Sequence, residues 1–126
     1  MGYDHSIRAE TKPLHIMTNQ KVIVQVCRWY PVGADFIIHR TIEDDGDCSI
    51  GNGWTVTHTR SHMAIIQKVR TRGMAFKIAG ELALLTDKWP LFEDQKSMKR
   101  ILNHRERGAV LDLILKVQAS REWSFR

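Results

Sequence analysis

The chain has 126 residues, of which 43% are hydrophobic and 26% charged, and its formal net charge is +5. That length predicts one domain with a core of its own. It excludes a TIM barrel or an enzyme with a separate cofactor domain. Eight glycines and three prolines are too few for a collagen-like or disordered chain.

Residues 1–20 are polar and lack a sustained period. They read as an N-terminal arm with a short strand near Leu14 to Met17. Residues 21–126 read as a single α+β domain, with sheet over 21–70 and helices over 72–119. The run 21–30, KVIVQVCRWY, is rich in β-branched and aromatic side chains and predicts a strand. The segment 31–34, PVGA, then turns the chain. Residues 35–43 predict a second strand, with Phe36, Ile38 and Ile42 on one face and His39 and Thr41 on the other. The segment 43–53, EDDGDCSIGNG, has the Asp, Gly and Asn-Gly content of a loop. In the run 54–59, WTVTHT, Trp54, Val56 and His58 alternate with threonines, as in a third strand. Arg60 and Ser61 close a hairpin into a fourth, 62–69.

From Thr71 the period becomes helical. Phe76, Ala79, Leu82, Ala83 and Thr86 share a face, with Ile78, Leu85 and Trp89 beside it. Thr71 is the expected N-cap, and Pro90 the expected stop. A second helical piece covers 93–102, with Met98, Ile101 and Leu102 inward. Asn103 and Glu106 have capping-box spacing, so a third helix is expected over 104–119. Its inward side carries Val110, Leu113, Ile114 and Val117. A single long helix through Asn103 fits the pattern as well. The fold expected is thus three or four antiparallel strands packed against two or three C-terminal helices.

Few residues point to chemistry. His39, His58 and His62 could meet across a hairpin and hold a metal, and are weak candidates for one. Asp44, Asp45, Asp47 and Ser49 resemble part of a calcium loop. The register puts Ser49 where that loop needs glycine and Thr55 where it needs glutamate, so the match fails. Ser49, Ser61 and Ser97 lie in no nucleophile motif. The segment 51–53, GNG, lacks the ending of a phosphate-binding Walker loop. The expectation is therefore no cofactor, no metal and no catalysis. Cys27 and Cys48 form no CxxC pair. No signal-peptide pattern and no membrane-length apolar run occurs, and the expected location is the cytoplasm of the producing cell or its host.

Charge says more. Residues 1–63 carry a net −1 and residues 64–126 a net +6. A basic half favours an anionic partner. Two clusters supply it, namely Lys68, Arg70 and Arg72 at the junction of sheet and helix, and Lys96, Lys99, Arg100, Arg105 and Arg107 further on. The first three share a face if the fourth strand continues to Arg72. Trp89, Phe92, Trp123 and Phe125 are candidate interface aromatics, since aromatic and arginine side chains dominate binding hot spots. Together these features predict a small interaction or inhibitor protein, homodimeric, whose basic C-terminal half meets an acidic protein surface. The alternative is a nucleic-acid-binding protein that contacts phosphates without strong base readout, since no zinc finger, zipper or GXXG loop is present. The run 54–58, a turn, a basic strand end and the Ala-containing helix 73–89 together resemble small accessory proteins of phages and plasmids. That resemblance implies contact with a host or competitor component and transfers no functional residue.

Overall fold

The computed structural model describes residues 14–17, 23–26, 28–42, 50–120, 122 and 123. Strands β1 (Leu14–Met17) and β2 (Ile23–Val26) pair antiparallel, with Leu14 opposite Val26. A second sheet has the order β3 (Tyr30–Val32), β4 (Phe36–Ile42), β5 (Ile50–His58), β6 (Met63–Val69), all antiparallel. Helices α1 (Arg72–Leu85), α2 (Gln95–Ile101) and α3 (His104–Ala119) follow, with a 3₁₀ turn at Trp89–Leu91. This is the α+β architecture expected, a four-stranded antiparallel sheet against three helices.

Four boundaries differ from the expectation. The run 21–30 is not one strand. Its first part pairs within the two-stranded sheet, and Tyr30 begins β3. Pro31 and Val32 lie in β3 rather than in the turn, because β3 is an edge strand where a missing N–H costs no ladder bond. β5 begins at Ile50, inside the expected loop, and Gly53 makes this feasible. Its φ is +91°, and a Cβ there would stand 2.9 Å from the Lys68 Cα. Only glycine permits that approach of β5 to β6. Finally, α1 stops at Leu85, before Pro90. Pro90 lies inside the 3₁₀ turn, where its fixed φ suits the first positions. Cys27, the acidic run 43–49 with Cys48, and Phe125 lie outside the described residues.

One sheet face carries Phe36, Ile38, Val56, Ile66 and Val69. They share a core with Ala75, Ile78, Ala79 and Leu82 of α1 and with Val110 and Val117 of α3. Thr71 caps α1 by accepting from the Met74 N–H, and Asn103 and Glu106 form the capping box of α3. The chain therefore breaks between α2 and α3. The opposite sheet face is also buried and, apart from Ile37, polar. There Thr41 and Thr55 join their hydroxyls at 2.9 Å, and His39 Nε2 meets the Thr57 hydroxyl at 2.8 Å. The Lys68 N–H donates to the Thr41 hydroxyl at 3.2 Å. Lys68 has a φ of +61°, and the β5–β6 register shifts between Trp54 and Val56. This is a bulge on the edge strand β6.

Candidate functional site

The three histidines do not meet. Alternation along β4 and β5 sends His39 to the polar face and His58 to the core face. His58 sits among Phe36, Trp89 and Phe92, with ring centroids 5.6–6.0 Å from its own. Its Nε2 faces the Trp89 carbonyl oxygen at 2.8 Å, so Nε2 carries the proton and donates. Its Nδ1 then accepts from the Ser61 hydroxyl at 2.7 Å. The Trp89 indole in turn donates to the Leu82 carbonyl at 2.9 Å, one of the last carbonyls of α1. This chain of bonds ties the β5–β6 turn, the 3₁₀ turn and the end of α1 together. Burial holds the pKa of His58 below its usual value, and that of His39 likewise. Among the described residues, no group of three or more His, Cys, Asp or Glu is placed to hold a metal ion.

The Ser61–His58 contact was not legible in the sequence. Hydroxyl–imidazole pairs of this length also occur in nucleophilic catalysis. Here the Ser61 oxygen also accepts from the Met63 N–H, and the imidazole is fully enclosed. The contact locks the hairpin turn. Ser97 is likewise a structural hydroxyl, inside the capping box at the start of α2.

The aromatic candidates divide. Trp89 and Phe92 are core residues, 1% and 0% exposed, and present nothing to a partner. Trp123 is half-buried, and Lys77 Nζ lies 4.9 Å from its ring centroid.

The basic candidates fall into two groups at opposite ends of α1. The Arg70 N–H donates to the Trp123 carbonyl near the start of α1. At the other end, the Thr86 hydroxyl donates to Glu106 at the start of α3. α1 has 14 residues, so the two ends are about 21 Å apart. Lys68, Arg70 and Arg72 do not share a strand face, because β6 ends at Val69 and Arg72 opens the helix. Arg72 is also engaged, stacking 4.8 Å from the Tyr30 ring centroid and donating to the Tyr30 hydroxyl at 2.6 Å.

The second group is different. Lys96, Lys99, Arg100, Arg105 and Arg107 are all exposed. The salt bridges among the described residues are Arg60–Glu93 and Lys88–Glu106, and neither involves these five. Glu106 is the single acidic residue of segment 95–107. It is occupied by Lys88, by the Thr86 hydroxyl and by the Asn103 N–H, which hold its carboxyl down at about 2. Arg105 and Arg107 stand in the first turn of α3, where the helix dipole is positive and disfavours cations. Stability alone would favour Asp or Glu there. Exposed leucines adjoin this corner. Leu91 precedes α2, and Leu111 lies one turn beyond Arg107, followed one turn later by exposed Leu115.

Among the described residues, no helix is long and apolar enough to cross a membrane. Comparison of the chain with protein-family models, with curated proteins and with solved structures gives no match.

Proposed function

We propose that this chain is a small, non-enzymatic interaction protein, of the accessory or inhibitor kind that phages and plasmids carry, and that its α2–α3 corner engages an acidic protein surface. One observation carries this reading. Five exposed cations that form no salt bridge among the described residues occupy one corner, and two of them, Arg105 and Arg107, stand where the dipole of α3 repels them. Cations kept at such a cost suit an external anion. Arginine pairs with carboxylates through its planar fork, and Leu91 and Leu111 add apolar area that a carboxylate-rich protein surface can cover. The alternative, phosphate contact on nucleic acid, draws on the same five cations.

The test is fluorescence anisotropy against labelled probes at low and near-physiological salt. The probes are a Glu-rich peptide containing leucines, and single- and double-stranded DNA and RNA. The peptide is expected to bind with moderate salt dependence, and the nucleic acids to give flat curves. Steep, salt-sensitive nucleic-acid binding with a flat peptide curve would transfer the function to phosphate.

A homodimer is part of the proposal, and α3 is its better route. The Lys68 bulge and left-handed φ blunt strand addition at the β6 edge. Leu115, one turn beyond Leu111 on α3, instead presents an exposed apolar side chain outside the α2–α3 corner. Sedimentation equilibrium should show a dimer that Leu115→Lys converts to monomer. A monomeric parent chain would remove the dimer from the account.

A further inference from the structure

A second group of charges outside the described salt bridges lies between the middle of α1 and the C-terminal half of α3, away from the α2–α3 corner. A cavity of about 150 Å³ opens between α1, α3 and the turn that carries Trp123. Leu113, Val117 and the Trp123 ring form its apolar lining. That volume accommodates one six-membered ring. Around it stand two ammoniums, Lys77 and Lys116, and one carboxylate, Glu81. None of the three forms a salt bridge among the described residues, although they border one cavity. Ser120 completes the lining.

The positions of the two ammoniums have separate causes. Lys77 is held over the indole by its attraction to the ring face. Lys116 lies in the last turn of α3, where the dipole favours a cation. The lining therefore carries a net charge of +1 around an apolar, ring-sized space. An inorganic phosphate would leave the apolar wall uncovered, and a neutral hydrocarbon would leave one of the two ammoniums without a counter-charge. A monoanion with an apolar body answers both.

We propose that this groove binds a small monocarboxylate whose apolar part is about one six-membered ring in size. The carboxylate pairs with Lys77 and Lys116, the ring packs on Trp123, Leu113 and Val117, and Glu81 restricts the ligand to a single negative charge.

Sodium benzoate is the probe, titrated into the isotope-labelled full chain by two-dimensional NMR. Saturable shifts are expected at the Trp123 indole N–H and at the amides of Val117 and Ser120. Benzyl alcohol, with the same ring and no charge, should bind about tenfold more weakly, the equivalent of one ion-paired contact. Lys116→Gln changes an exposed residue and should weaken benzoate by a similar factor while leaving benzyl alcohol unchanged. Absence of a saturable shift, or equal binding of benzoate and benzyl alcohol, would overturn the proposal. Neither result would bear on the α2–α3 corner, which shares no residue with this groove.

Discussion

His39 and His58 are both enclosed, and burial lowers the pKa of each below the ordinary value of 6.5. Their bonds suit the neutral ring. In each, one nitrogen donates to a backbone carbonyl, of Arg40 or Trp89, and the other accepts from a hydroxyl, of Thr57 or Ser61. The sign of the pH effect follows. Below 6.5 the unfolded chain takes up protons that the folded chain resists, so stability is fully present above that value and is lost as pH falls through the folded pKa. Melting temperature followed by circular dichroism should be flat from about pH 8 to 7 and decline below about 6.5, before most carboxylates titrate. The double variant His39→Gln, His58→Gln should melt lower at neutral pH and lose most of that slope. An unchanged slope would place the titrating groups elsewhere. Alternation in WTVTHT already put His58 on the same strand face as Val56. What the sequence could not supply was the partner, since the Trp89 carbonyl lies 31 positions away and depends on how the chain leaves α1.

Local signals served well where the physics was local. Asn103 and Glu106 are three residues apart, and reciprocal bonds of 2.8 and 3.1 Å start α3 as that spacing requires. Thr71 caps α1 for the same reason. Removing the Asn103 side chain should cost about 1 kcal/mol, the usual value of an N-cap. Urea denaturation of Asn103→Ala would show it as a lower midpoint with an unchanged slope, whereas an unchanged midpoint would mean the cap adds nothing. Elements set by long-range pairing were less legible. The run 21–30 has uniform strand propensity, yet its two ends pair with different strands, and propensity carries no information about partners. The end of α1 was misplaced because Trp89 continues the apolar period. It reaches the core from the 3₁₀ turn instead, with its indole bonded back to the Leu82 carbonyl.

Charge was legible as an excess in the second half of the chain and as two clusters, but the approach of Lys116 to Lys77 was not. That approach arises from the antiparallel course of α1 and α3, which carries Arg105 and Arg107 to one end and Lys116 to the other. The account separates stability from binding at the α2–α3 corner. Arg105→Glu and Arg107→Glu put negative charges at the positive end of α3, so the double variant should keep or slightly raise the melting temperature, by at most about 1 kcal/mol in stability. The same variant should lose affinity for an acidic partner. A melting temperature well below that of the parent would mean these arginines serve the fold.

The most direct measurement of the central claim is NMR mapping of the Glu-rich, leucine-containing peptide on the full chain. The account predicts shifts concentrated over residues 95–107 and at Leu91 and Leu111, abolished in the charge-reversed variant. Shifts centred on Lys68 to Arg72, or spread evenly over all lysines and arginines, would contradict it.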